Sequence, residues 1–262
     1  MGTFPFLTML ALGQGYLLAF FLLTSRFYRN AANTWLAVFG ALLSTMIILD
    51  IFGEFNRSAT LLIEFLVNDM PLEMLAYVPL YIYFKISSTS APRFWKEWPL
   101  LIGPFLIDTL INLYLVLTVP LKAFGENQNI QFFYDLESIA AALVSVGLCY
   151  FSFRLIATST PIEKRKWLKS VWRSSTVLLC GFILTTLLLA FADTQLSNLI
   201  LAFYILISLW LFWLIYNGIV NVNLIDDRIA IQLKRNQSVS EKPVSATVDP
   251  PAAEPELHSS SK

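Results

Sequence analysis

Long apolar stretches, separated by short polar connections, dominate the first 220 residues of the chain. Each is about as long as the 20 residues that a helix needs to cross the hydrocarbon core of a bilayer. Seven such segments occur, with approximate limits 4–24, 33–54, 61–85, 98–119, 134–156, 168–190 and 197–219. The pattern predicts an all-α integral membrane protein in which residues 1–220 form a bundle of seven transmembrane helices.

The character of the chain changes after Asn221. Residues 221–236 carry apolar positions at helical spacing among charged ones, which predicts an amphipathic juxtamembrane segment. These positions are Val222, Ile225, Ile229 and Leu233. The segment either lies on the membrane surface or continues the seventh helix into the cytoplasm. Residues 237–262 are rich in Ser, Pro, Glu and Ala and too polar to form a core, so we expect a disordered cytoplasmic tail.

Composition agrees with a membrane domain, and the distribution of charged residues predicts its orientation in the membrane. Only 14% of the residues are charged, whereas about a quarter are charged in typical soluble domains. Fourteen Lys and Arg residues near the predicted helix ends fall on one side, and only Arg57 and Lys122 fall on the other. Because Lys and Arg accumulate in cytoplasmic loops, we expect the N-terminus outside and the C-terminus in the cytoplasm. The formal net charge is zero, so no basic surface argues for nucleic-acid binding.

Acidic residues concentrate on the predicted outer side, which the charge rule for loops does not explain. The group Asn68–Glu73, together with Asp50, is therefore a candidate ligand site. Asp69 and Glu73 form either the mouth of a cation or ligand site or a helix start, with Pro71 in its first turn and Asn68 or Asp69 as the cap. In the second interpretation, Leu61–Val67 is a separate piece, the spanning helix starts near Pro71, and Pro79 kinks it.

Asp108 is the acidic residue that needs the most explanation. It lies ten residues after Trp98, about 15 Å along the fourth predicted helix and near the bilayer midplane. A charge at that depth costs at least ~2.5 kcal/mol, so the carboxyl is either neutral or faces a wet cavity. Asn112 lies one turn later on the same face and can hydrogen-bond to it. Asp108 and Asn112 form either part of a ligand pocket or a polar cross-link between helices.

Two further local patterns predict lipid contact or helix packing rather than a catalytic site. The run Lys164, Arg165, Lys166 and Trp167 joins basic residues to a Trp, which is typical of an interface with anionic lipid headgroups. Gly13 and Gly15 lie in an apolar run, so we expect them to permit close helix packing rather than to bind phosphate.

The residues that usually hold metals, cofactors or reactive nucleophiles are scarce. Cys149 and Cys180 lie inside apolar runs, and His258, the only histidine, lies in the polar tail. We therefore expect no metal site and no cofactor. The seventh segment has no Lys for a retinal Schiff base, and no nucleophile elbow or zinc-protease motif occurs, so we expect no enzyme.

The order of several stretches resembles the N-terminal seven-helix membrane domain of bacterial membrane-bound AraC-type transcriptional regulators. The stretches are LGQGYLLAFFLL, NAANTWLAVFGALL, MPLEMLAYVPLYIYFK, RFWKEW, PLLIGPFLI and FWLIYNGI. The resemblance implies a multi-pass protein of the bacterial inner membrane, a homodimer, and a role in signal transduction and transcription regulation. That family continues into a DNA-binding domain with two helix-turn-helix units. The tail here shows no such pattern, so we expect no direct nucleic-acid binding by this chain.

Three functions remain open on these grounds. The first is a sensor or regulatory subunit that detects a ligand from the outer or membrane side and relays it to a cytoplasmic or membrane partner. The second is a small transporter or channel that uses Asp108 at the midplane. The third is a membrane enzyme or an assembly factor without activity of its own.

Overall fold

A computed structural model describes residues 3–24, 30–55, 65, 70–88, 96–118, 128–158, 162–191, 202–214 and 216–217. Regular structure in these ranges is helical, with no strand, which confirms the predicted all-α class. The helices are α1 (Thr3–Thr24), α2 (Ala31–Phe55), α3 (Val78–Ser88), α4 (Trp98–Thr118), α5 (Gln128–Ala157), α6 (Ile162–Phe191) and α7 (Ala202–Leu214). A 3-10 turn, Leu72–Leu75, precedes α3. Residues 221–236 and 237–262, with their predicted segment and tail, lie outside the described part.

Three helical stretches are long and apolar enough to cross a membrane: Ala31–Leu49, Trp98–Thr118 and Phe132–Ala157. The outward face of α4 shows the same character, because Leu110, Tyr114 and Leu117 are each 66% exposed. A continuous apolar face of this kind suits lipid rather than water. Helix length, composition and surface together suggest a membrane protein.

Helix α3 is the packing centre of the described residues. Every residue from Val78 to Lys85 is buried, and Leu80, Ile82 and Phe84 have no exposed surface. A helix that is buried on all sides lies in the interior of a bundle, whereas a surface helix buries only one stripe. The neighbours of α3 include α2 and α5.

The predicted segment 61–85 divides differently from either interpretation of its sequence. Pro71 precedes the 3-10 turn and supplies no side-chain cap, and α3 begins only at Val78. Pro79 therefore lies in the first turn of α3, where backbone N–H groups have no intrahelical acceptor. Instead of one continuous helix with a kink at Pro79, the chain forms a 3-10 turn and then a separate helix that begins at Val78. Asn68 and Asp69, the expected caps, lie outside the described residues.

Helices α1 and α2 approach closely at two glycines. A Cβ atom on Gly15 would collide with Ser44 Oγ and would lie 2.8 Å from the carbonyl oxygen of Gly40. A Cβ on Gly13, two residues earlier, would meet nothing within 4 Å. The close packing predicted for this stretch therefore depends on Gly15.

Gly15→Ala should destabilise the protein by about 1–3 kcal/mol, because the backbone of α2 cannot easily move away from the added methyl group. Thermal unfolding of the detergent-solubilised protein, followed by circular dichroism, measures the change. Gly13→Ala is the matched control and should be neutral or slightly stabilising. Equal destabilisation by both substitutions would contradict the proposed contact.

Candidate ligand cavity and buried carboxyl pair

A cavity of about 320 Å³ lies among α2, the 3-10 turn, α3, α5, α6 and α7. Most of its wall is apolar, and six aromatic side chains contribute to it: Phe39, Tyr77, Phe182, Phe203, Tyr204 and Trp210. Phe39 and Trp210 meet edge to face with ring centres 5.8 Å apart, and Phe182 and Phe203 are 6.5 Å apart. An apolar, aromatic wall with few polar groups is typical of small-molecule sites.

Several elements contribute polar residues to the cavity wall: Glu73, Tyr77, Ser145, Ser175, Tyr204 and Trp210. The 3-10 turn supplies Glu73, which is half-buried and is the carboxylate among the described lining residues. Tyr77 Oη lies 3.2 Å from Ser175 Oγ, and Ser175 donates to the carbonyl of Trp172, so Tyr77 is the donor of this pair. Trp210 Nε1 is buried and has no hydrogen-bond partner among the described residues. The cavity wall therefore contains the carboxyl group of Glu73 and an N–H donor at Trp210.

Asp108 and Asn112 lie outside this cavity and face Glu137 of α5. Asn112 Nδ2 donates to Glu137 Oε2 at 3.2 Å, and the Asp108 and Glu137 carboxyl groups are within hydrogen-bonding reach of each other. Asp108 is 7% exposed and Asn112 is fully buried. Two carboxyl groups can share a hydrogen bond only when one of them carries a proton. The sequence-based expectation that the Asp108 carboxyl is either neutral or faces a wet cavity stays a prediction.

Two oxygens of this cluster, Asp108 Oδ2 and Asn112 Oδ1, are buried without a hydrogen-bond partner among the described residues. Such groups cost about 1–3 kcal/mol each and are uncommon in folded proteins. Glu73 is close enough to Glu137 to interact with it electrostatically.

A second set of polar contacts holds the other end of α3. Lys85 Nζ forms an ion pair with Glu97, and Tyr81 Oη donates to Glu97 Oε2 at 3.3 Å. Trp167 Nε1 donates to Tyr83 Oη at 2.9 Å. These contacts fix the end of α3 against the start of α4 and the first turns of α6.

Of the residues predicted to contact lipid headgroups, the tryptophan is buried and the basic residues are partly or fully exposed. Trp167 is only 6% exposed, and its indole ring stacks on Trp213 at 6.0 Å. Lys164 and Arg165 are half-buried, and Lys166 is exposed. The hydrogen bond to Tyr83 explains why Trp167 turns inward, so the basic residues alone carry the predicted headgroup contact.

The predicted ligand residues do not converge on one place. Glu73 lines the cavity, whereas Asp108 and Asn112 belong to the buried pair. The side chain of Asp50, on α2, and all of Asp69 lie outside the described part of the structure.

The sequence alone missed Glu137 as the partner of Asp108. Glu137 lies nine residues into α5, about 14 Å along the helix. The apolar pattern predicts that this helix begins near residue 134, whereas α5 begins at Gln128. The earlier start places Glu137 well inside the helix rather than at its end. In the described ranges, no group of three or more His, Cys, Asp or Glu side chains is placed to hold a metal ion.

No protein-family model, curated protein or solved structure matches the chain. The class that the fold and the site define is an all-helical protein of membrane character with an aromatic cavity and a buried carboxyl pair.

Asn112→Leu should destabilise the protein by about 1–3 kcal/mol, because a side chain of similar shape replaces the amide that donates to Glu137. Thr109→Val is the control, since Thr109 donates only to the carbonyl of Phe105 on its own helix, and the change should stay within about 0.5 kcal/mol. Unfolding temperatures of the two variants in one detergent give the comparison. An unchanged Asn112→Leu protein would show that the amide does not support the pair.

Proposed function

We propose that the chain is a membrane-embedded sensor or regulatory subunit. Its seven helices would cross the bacterial inner membrane, with the N-terminus outside and the C-terminus in the cytoplasm. The uneven distribution of Lys and Arg supports this orientation. The three helices long enough to span a bilayer support the membrane assignment, and the resemblance to AraC-type membrane domains supports the regulatory role.

The cavity is the observation that carries the sensing role. Its volume of about 320 Å³ suits a small ligand, and its wall combines aromatic faces with the carboxylate of Glu73. Aromatic faces and a carboxylate together favour a cation with an apolar body, such as a substituted ammonium. Because the 3-10 turn follows the predicted outer loop, a ligand would enter from the outer or membrane side.

The relay of the signal would use the helices that form the cavity wall. The lining residues include side chains of α6 and α7, so a bound ligand would alter the packing of both. The chain continues from α7 into the amphipathic residues 221–236, which would pass the change to a cytoplasmic or membrane partner. A second copy of the chain is the partner that the resemblance favours.

Glu73→Gln should weaken binding of phenylalkyl-trimethylammonium probes by about tenfold, because the substitution removes the charge that pairs with the ammonium. Asp135→Asn is the matched control: it removes an exposed carboxylate at the start of α5 and should leave affinity unchanged. Quenching of tryptophan fluorescence by the probes measures affinity. The uncharged carbon analogue of each probe should bind weakly to wild type and without dependence on Glu73.

Two outcomes would count against the cationic-ligand site. One is an equal loss of affinity in the Glu73 and Asp135 variants. The other is equally tight binding of the charged probe and its carbon analogue to the wild-type protein.

The proposed orientation predicts the accessibility of single cysteines introduced into a background in which Cys149 and Cys180 are replaced by Ala. In intact cells, a membrane-impermeant maleimide should label Arg57→Cys, whereas Lys96→Cys should react only after the cells are permeabilised. The reverse pattern would invert the topology and place the cavity entrance on the cytoplasmic side.

A small transporter is the second candidate, and the buried pair of Asp108 and Glu137 favours it, because intramembrane carboxyl groups serve as proton and ion relays. Substrate flux into proteoliposomes that disappears in Asp108→Asn would favour transport over sensing. Absence of flux across a broad panel of cations, with probe binding retained, would leave the sensor as the better account.

A further inference from the structure

A basic groove of about 560 Å³ runs between α6 and α7, separate from the aromatic cavity. Its α6 wall shows helical spacing, with two serines and Val177 among the cations, and Trp213 closes it from α7. The cations are Lys166, Lys169 and Arg173, and the serines are Ser170 and Ser174. We refer to this surface as the α6–α7 groove.

The charges of the groove are not neutralised within the described residues. The ion pair found among the described side chains joins Lys85 to Glu97, outside the groove. In that part of the chain, no carboxylate lies within ion-pair distance of Lys166, Lys169 or Arg173. The three cations follow one another along α6, which begins at Ile162, with Lys166 nearest its start. Positive charges clustered on one helix face repel one another, and a bound anion relieves this repulsion.

The groove extends from the start of α6 toward apolar surface. Arg173 lies eleven residues after Ile162, about 16 Å along the helix, and Val177 continues the same face one turn further. Val177 is 68% exposed, so the face beyond the cations is open and apolar. Such a face suits an acyl chain, whereas the long basic side chains reach back toward a headgroup.

We propose that the α6–α7 groove binds the headgroup phosphate of an anionic phospholipid. Lys166, Lys169 and Arg173 pair with the phosphate oxygens, Ser170 and Ser174 donate hydrogen bonds, and an acyl chain lies along Val177. Basic pockets between helices at the cytoplasmic side of membranes bind such headgroups. The inference holds whether or not the aromatic cavity binds a ligand.

The groove also touches the interior of the bundle. Trp213, on its wall, stacks against Trp167, which donates to Tyr83 of the buried helix α3. A lipid bound in the groove would therefore contact Trp213, which stacks on the tryptophan that joins α6 to α3. Because the lipid binds the folded state, it should raise the unfolding temperature of the protein.

Native mass spectrometry of the full chain in detergent, titrated with phosphatidylglycerol, tests the proposal. The groove triple variant Lys166→Gln/Lys169→Gln/Arg173→Gln should bind the lipid about a hundredfold more weakly than wild type. The control triple variant Arg93→Gln/Lys96→Gln/Arg154→Gln removes three positive charges elsewhere on the predicted cytoplasmic side and should bind like wild type. Phosphatidylcholine and inorganic phosphate serve as the zwitterionic lipid and the free anion.

Each outcome decides the proposal. Equal losses in both triple variants would show diffuse attraction of charge, and no loss in the groove variant would exclude the groove. Binding of inorganic phosphate as tightly as the lipid would replace the lipid with a free anion. If the groove variant does not fold, Lys169→Gln and Arg173→Gln are measured singly, and each should weaken binding about fivefold. Unchanged binding in both single variants would overturn the proposal.

Discussion

Burial of every residue from Tyr77 to Lys85, a stretch that includes most of α3, is the constraint on which the rest of the structure depends. Because residues 77–85 have no exposed face, a polar side chain in this stretch needs a partner in a neighbouring segment. Tyr77 meets Ser175, Tyr81 and Lys85 meet Glu97, and Tyr83 meets Trp167. These hydrogen bonds are directional, whereas the apolar contacts around them are not, and so they fix the positions of α4 and α6 against α3.

Two places in the interior contain further polar side chains. Side chains along α3 leave an aromatic cavity on one side, with Glu73 at its wall. The second polar cluster, between α4 and α5, holds Asp108, Asn112 and Glu137 with two buried oxygens unpaired. Since Glu73 interacts with Glu137, a positive charge in the cavity would change the electrostatic environment of the pair.

The sequence predicted most of the fold because apolar length is a strong local signal. The limits expected for the first, second and fourth helices differ from the structure by no more than two residues at either end. The third segment was harder, because two prolines and several acids within one apolar run allow more than one break point. Only the packing around α3 determines that the helix starts at Val78.

The candidate site was less predictable for a physical reason. Asp108 and Asn112 were found from the sequence because a carboxyl and an amide one turn apart are conspicuous in an apolar helix. Their partner Glu137 and the inward turn of Trp167 depend on contacts between residues 25 to 84 positions apart, which periodicity does not report.

A crystal structure of the protein with a bromophenyl-trimethylammonium ion tests the central claim, that the aromatic cavity is a site for hydrophobic cations. The account predicts an anomalous bromine peak among the aromatic side chains, with the ammonium on the Glu73 side and within ~6 Å of a ring centre. Bromine peaks only on lipid-facing surfaces, with the cavity closed by its own side chains, would contradict it.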